Sequence, residues 1–244
     1  MRDIFPANVI SVTDLSPSLI RLVLAVGNME LFERTKHPGE WVSLWFPDAA
    51  GALPLPARNL CGKRLPRNRS RPYTLRKIDW REGTVTIDMV RHAGGLAASW
   101  AAQARMGDQL LMGQPEGRFR IAPGIDRILI FADITGLPAI ARIFDEWQGQ
   151  ARAIAHICVP FPADRPMMFA PETHEIHWHQ QSEADDQLLG SVAESISFLP
   201  GRDYVWIAAE ATTVARLKRC FRAKGAYDGD VTTIGYWIRG HSRR

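Results

Sequence analysis

The stretch Arg71-Pro72-Tyr73-Thr74-Leu75-Arg76 sets an aromatic ring and a hydroxyl between two guanidinium groups. Guanidinium forks pair with phosphate oxygens two at a time, and a tyrosine offers a stacking face. The spacing therefore suits a phosphorylated ligand that carries a flat ring. A strand with a solvated basic face would use the same residues, and the hexapeptide alone does not separate the two readings. Its surroundings add charge: from Arg58 through Lys77 there are eight Lys/Arg and no Asp/Glu.

A second segment, Asp88-Met89-Val90-Arg91-His92-Ala93-Gly94-Gly95, runs from a strand end into a glycine turn. A helix over Leu96–Arg105 follows, carrying Ala97, Ala98, Ser99 and Trp100. Small residues ahead of a helix leave backbone N–H groups open to a diphosphate, although an ordinary strand–turn–helix has the same outline. Further on, Asp133-Ile134-Thr135-Gly136 lies between an apolar strand and a helix, and Ala208-Ala209-Glu210 repeats that layout. Openings at the carboxyl ends of parallel strands are where α/β sheets take ligands, yet no GxGxxG fingerprint is present. Thr135 reads as a helix cap or a ligand contact. Glu210 reads as an orienting group for a ribose or nicotinamide, or as a solvated acid at a cap. Tyr236-Trp237-Ile238-Arg239-Gly240 follows the last strand and suits either a ring cover beside a basic pocket or a core tryptophan with a solvated tail.

Other constellations point to no chemistry. His174-Glu175-Ile176-His177-Trp178-His179 is not HExxH, and only His177 and His179 share a strand face, so no protein-bound metal is expected. Cys61, Cys158 and Cys220 form no CxxC pair and read as buried thiols in a reducing compartment. No Ser–His–Asp or Cys–His arrangement can be anchored, and Asp185-Asp186 lies in a polar surface run.

The elements that must position these groups change in texture along the chain. Val9–Val12, Leu19–Val26, Trp41–Phe46 and Thr84–Val90 read as short strands divided by turns, and residues 49–70, rich in Pro, Arg and Gly, as a long functional loop. Short strands joined by turns suggest a small barrel. After Pro123-Gly124 the chain alternates. Strands are expected at Arg127–Phe131, Ala153–Val159, His174–His179, Tyr204–Ala208 and Val231–Tyr236. Helices are expected at Pro138–Trp147, Asp185–Ser197 and Thr213–Lys224. That alternation argues for a parallel α/β domain, with the boundary near residue 122.

The 244 residues, 46% hydrophobic and 23% charged, suffice for two such domains and match an ordinary soluble composition. The net charge of +4 is unevenly spread: residues 1–122 hold 17 basic and 11 acidic residues, and 123–244 hold 13 and 15. The positive half should attract anions. Without zinc-finger spacing or a long basic helix, nucleic acid is the weaker partner. No signal-peptide h-region and no long apolar run is seen, so the expected location is cytoplasmic, without membrane insertion.

Taken together, these motifs resemble the siderophore-interacting protein family, FAD-dependent ferric-siderophore reductases of the ferredoxin-reductase superfamily. The family's Arg-x-Tyr-Thr-x-Arg is Arg71–Arg76, and its Asp-x-Val-x-His is Asp88–His92. Its Asp-x-Thr-x-Leu-Pro-Ala-Ile is Asp133–Ile140, and its Gly-Tyr-Trp-x-x-Gly is Gly235–Gly240. Ala209-Glu210 replaces the family's Gly-Glu, and Gly95-Leu96-Ala97 its Gly-Pro-Ala.

The resemblance implies a two-domain ferredoxin-reductase-like fold: an antiparallel β-barrel FAD domain at 1–122 and an α/β nicotinamide-nucleotide domain at 123–244. It implies FAD held by Arg71, Tyr73, Thr74, Arg76, Asp88, Val90, His92 and the Gly94–Ser99 turn. Asp133, Thr135 and Glu210 would face NADPH or NADH, with Trp237 near the flavin. It further implies a ferric siderophore, or another ferric chelate, drawn by Arg58, Lys63, Arg64, Arg118 and Arg239. A flavin reductase with another acceptor and a non-enzymatic ferric-chelate binder are the alternatives. Arg165 offers a cation to a ribose phosphate while Asp164 beside it opposes one, which leaves NADH against NADPH open, as are the siderophore class and oligomeric state.

Overall fold

A computed structural model of the chain describes residues 4–35, 37–48, 50–54, 69–92, 94–117, 119–168, 170–180 and 187–241. Two compact units divide it, Met1–Arg118 and Phe119–Arg243. The boundary was expected near residue 122. Phe119 falls in the second unit, where its ring meets Tyr204 edge-on at 6.2 Å.

The first unit is built from β1 (Ile4–Ser16), β2 (Leu19–Val26), β3 (Trp41–Trp45), β4 (Ser70–Thr74), β5 (Lys77–Asp79), β6 (Thr84–Val90) and β7 (Gln109–Gly113), with the short helix α1 (Leu96–Ala101). All pairings are antiparallel, in the order β4-β3-β7-β1-β2-β6-β5. The two edge strands are joined by only Leu75 and Arg76, so the sheet must curl until its edges approach. Consecutive amides make the closure visible: Leu75 N donates to Glu40 O at 2.9 Å, and Arg76 N to Thr86 O at 2.9 Å. Pro72 fits within β4 because that strand pairs on one side only, where a missing N–H costs no ladder bond. Alternate residues point inward, giving a core that includes Phe5, Leu22, Leu24, Val42, Leu44, Ile87 and Met112.

The sequence reading missed β5 and β7 and stopped the first strand short, because β1 carries the polar residues Ser11, Thr13 and Asp14 through its outer half. It also ran the first helix to Arg105, whereas α1 ends at Ala101.

The second unit is a parallel sheet of β8 (Arg127–Ala132), β9 (Arg152–Val159), β10 (Glu175–Gln180), β11 (Asp203–Glu210) and β12 (Val231–Trp237), ordered β10-β9-β8-β11-β12. Its helices are α2 (Leu137–Asp145), α3 (Leu188–Ser195) and α4 (Ala211–Ala223). β11 is buried along its whole length, as expected of a central strand covered on both faces. The order reverses between β8 and β11, where a doubly wound sheet opens its ligand crevice. These two strands are clamped at their amino ends by a two-pronged ion pair: Arg127 Nε donates to Asp203 Oδ1 at 2.9 Å, and its Nη2 to Oδ2 at 2.5 Å. Asp203 is 1% exposed and also accepts from Leu199 N.

On β9 and β10 the histidines form a stack that sequence spacing did not reveal. His156 lies against Phe131 at 5.4 Å, His177 at 4.8 Å and His179 at 5.4 Å, and its Nδ1 shares a 3.1 Å hydrogen bond with His179 Nε2. His174 stands apart, edge-on to Phe144 and Trp147. Among the described residues no group of three or more His, Cys, Asp or Glu is arranged to hold a metal.

Burial, followed by His177 and His179, pushes the His156 pKa from 6.5 down to about 4, with Glu175 opposing. The unfolded chain then binds a proton that the native chain refuses between those two values, so stability is full above about pH 6.5 and falls as pH drops toward 4. Urea unfolding should show the second unit losing roughly 2 kcal/mol between pH 7 and pH 5 through this group. His156→Phe, which keeps a ring against Phe131, should remove most of that loss.

Candidate functional site

In the first unit, β4 carries Arg71 and Tyr73 opposite Leu44 and Val42 of β3. Tyr73 is half-buried against the barrel core. Burial raises its hydroxyl pKa, with Arg71 opposing, so the phenol stays neutral and the ring acts as a surface rather than an acid. Phe46 meets Tyr73 at 6.3 Å and Trp100 of α1 at 5.4 Å, both edge-on, and so ties the Arg-Tyr-Thr strand to the helix after the glycine turn. Phe46 was not singled out from the sequence. Its place at the end of a predicted strand was visible, but its two ring partners were not.

The glycine turn has the geometry that small residues allow. Gly94 and Gly95 have φ of 75° and 88°, where a side chain would be strained. A Cβ on Gly94 would meet nothing within 4 Å, so the turn is open on that side, while one on Gly95 would lie 3.4 Å from His92 Cε1. Ala97 and Ala98 are buried, which leaves their backbone, not their methyls, for any ligand. Leu96 is half-buried against the core, and His92 and Ser99 are exposed. Arg76 and Val90 are half-buried, and Thr74 is 4% exposed opposite Trp41.

Asp88 is engaged elsewhere. Arg21, its cross-strand neighbour on β2, donates Nε to Oδ1 at 2.7 Å and Nη2 to Oδ2 at 2.8 Å. The pair braces the outer face of the barrel.

In the second unit the expected residues converge on one carboxylate. Asp133 Oδ1 accepts from Thr135 N at 2.8 Å and Thr135 Oγ1 at 2.5 Å. Its Oδ2 accepts from Glu210 N at 2.9 Å and Trp237 Nε1 at 2.8 Å. Desolvation raises the Asp133 pKa, and hydrogen bonds from Thr135, Trp237 and Glu210 oppose the rise. Glu210, 6% exposed, caps α4 through Thr212 N at 2.6 Å and Thr213 N at 3.1 Å, and its Oε1 accepts from Arg239 N at 3.3 Å. The Arg239 side chain itself is exposed. Gly136 is required by proximity: a Cβ there would come within 2.8 Å of Ala208 O and 2.9 Å of Ala132 Cβ. Both carboxylates are therefore committed to shaping the crevice, and the groups presented outward are the Thr135 side chain, the Trp237 ring and Arg239. Arg58, Lys63, Arg64 and Arg118 lie outside the described residues.

Comparison with known proteins follows this division. Residues 8–119 match the model of the siderophore-interacting FAD-binding domain, and residues 125–240 that of the siderophore-interacting protein. The crystal structure of a siderophore utilization protein from T. fusca superposes with a TM-score of 0.83 at 29% identity, covering 99% of this chain and 95% of that one. The ferric vibriobactin reductase ViuB of Vibrio cholerae is 26% identical over 93% of this chain and 86% of the relative. The NADPH-dependent ferric-chelate reductase of Escherichia coli is 29% identical over 70% and 67%. In fold alone the likeness extends to the ferredoxin reductase in carbazole 1,9a-dioxygenase, with a TM-score of 0.66 at 16% identity over 97% of this chain and 70% of that one. The fold is thus ferredoxin-reductase-like, with an antiparallel FAD-binding domain followed by a parallel α/β domain. No helix among the described residues is long and apolar enough to cross a membrane.

Asp133→Ala strips four donors of one acceptor group and should destabilise the second unit by roughly 2–4 kcal/mol. Trp237→Phe removes a single donor and should cost about 1 kcal/mol. Urea midpoints of the two variants, measured with wild type at pH 7, check that order.

Proposed function

The chain belongs to the siderophore-interacting protein family, and on that footing we propose that it is an FAD-dependent reductase of ferric siderophores, or of chemically similar ferric chelates, with NADPH or NADH as electron donor. The observation that carries the reading is the joining, within the FAD-binding domain, of the Arg71–Tyr73 strand to the helix after the open Gly94–Gly95 turn through Phe46. That donor set fits FAD. Arg71 would pair with the diphosphate and the neutral Tyr73 ring would pack against the isoalloxazine, while backbone amides from Gly95 to Ala98 would hold phosphate oxygens, the Ser99 amide being bonded to Gly95 O. Bound FAD supplies the conversion between two-electron hydride chemistry and one-electron reduction of Fe(III).

The protein's own groups bind, orient and set the field. Thr135 and the rim shaped by Glu210 take the nicotinamide nucleotide at the carboxyl ends of β8 and β11, with the Trp237 indole held in place by Asp133. No side chain acts as general base, in keeping with two site carboxylates that are already saturated with donors. Arg58, Lys63, Arg64, Arg118 and Arg239 draw in an anionic chelate. Fe(II) is held less tightly than Fe(III) by hard anionic oxygen ligands, so reduction promotes iron release.

Purified protein should be yellow and, under anaerobic stopped flow, should be bleached by NADPH or NADH and recoloured by a ferric siderophore. A colourless protein that binds the chelate without turnover would identify a chelate binder. A flavoprotein recoloured only by other acceptors would identify a different reductase.

Arg71→Ala should weaken FAD binding about thirtyfold, the loss of a charge-assisted contact of roughly 2 kcal/mol, read by flavin titration of apoprotein. Replacing Lys63 and Arg64 together with alanine should raise KM more for an anionic than for a neutral ferric chelate. Added salt should shrink that difference. Equal losses for both substrates would remove these residues from the chelate's path.

A further inference from the structure

We infer that Arg165 recognises the 2′-phosphate of the nicotinamide nucleotide and makes the chain selective for NADPH over NADH, an inference that rests on the nucleotide-binding reading above. In a doubly wound sheet the dinucleotide lies across the carboxyl ends of the strands, and its adenosine half runs from the reversal point toward the second strand. There an acid reads a free ribose 2′-hydroxyl and an arginine reads a 2′-phosphate. Here the second strand is β9, next to β8 in the sheet. It ends at Val159, and the chain turns through Phe161 and a short 3₁₀ turn, Pro162–Asp164, directly into Arg165.

The acid and the base at that turn are neighbours in sequence, but only one is presented. Asp164 is 0% exposed, and its Oδ2 accepts from Phe161 N at 3.1 Å, closing the turn from inside. Turned inward, its carboxylate can neither accept from a ribose hydroxyl nor oppose a phosphate at contact distance. Arg165 is exposed and forms no ion pair with a described acidic residue. Its charge is felt by His179, whose pKa is lowered by burial, by His177 and by Arg165. The His179 ring, disfavoured as a cation, and the Arg165 guanidinium thus share this end of β9 and β10, where neither brings a negative charge against a dianionic phosphate. The Phe161 ring, 52% exposed at the start of the same turn, offers the adenine a stacking face.

The test is calorimetric titration of the full-length holoprotein with NADP⁺ and NAD⁺, comparing wild type, Arg165→Ala and Arg165→Lys. Wild type should bind NADP⁺ more tightly. R165A should lose roughly 10- to 100-fold in NADP⁺ affinity, with NAD⁺ affinity changed less than about twofold, and R165K should fall between. Raising salt should narrow the wild-type preference. An unchanged NADP⁺/NAD⁺ ratio in R165A, or equal losses for both nucleotides, overturns the role of Arg165 while leaving the nucleotide site intact. A wild type that binds neither nucleotide overturns the nucleotide-binding reading itself.

Discussion

The α/β unit depends on the Asp133 carboxylate. Its two oxygens take four donors from three places in the chain: Thr135 in the following turn, Glu210 at the start of α4, and Trp237 at the end of β12. One short side chain thereby joins the carboxyl ends of β8, β11 and β12 where the strand order reverses. The Arg127–Asp203 pair does the corresponding work at the amino ends of β8 and β11. Between the two clamps the strands are apolar and buried, so the crevice above them has little freedom to change width. A carboxylate placed in such surroundings is costly unless every lone pair is used, and here the donors are present.

The same economy runs through the described site residues. Asp88 is taken by Arg21, Glu210 by the α4 amides and Arg239 N, and Asp164 by its own turn. Acids at these positions build the fold. What they leave exposed is cationic or backbone amide, Arg239, Arg165 and the Gly94–Gly95 turn, with the Tyr73 ring half-buried against the barrel core. In each unit that division suits anionic ligands with flat rings.

Much of this was legible because it is local. The hexapeptide at Arg71, the turn-and-helix at Asp133–Ile140 and the terminal Gly235–Gly240 motif each gather their candidate residues within a short stretch, and spacing along the chain displays those residue types directly. The switch from strand-and-turn texture to strand–helix alternation was also readable, since periods of two and of 3.6 residues leave different apolar patterns. Strand β5 was missed because it is three residues long, and β7 was missed although the Gly107-Asp108 turn precedes it. The histidine stack was missed because His156 and His177 are neighbours only through the β9–β10 register.

By itself the sequence determined the two-domain order, the basic first half, the aromatic and glycine positions, and the residue types at the reversal point. Only the tertiary structure decided which charges are spent. Asp88 and Arg21 are 67 residues apart, and Asp133 and Trp237 are 104 apart. Whether such pairs meet depends on strand register, and a one-residue slip would turn each side chain to the opposite face. The Asp164–Arg165 dipeptide shows the same limit at closest range. Its composition is neutral toward a phosphate, and only the inward turn of one carboxylate leaves the neighbouring guanidinium to act alone.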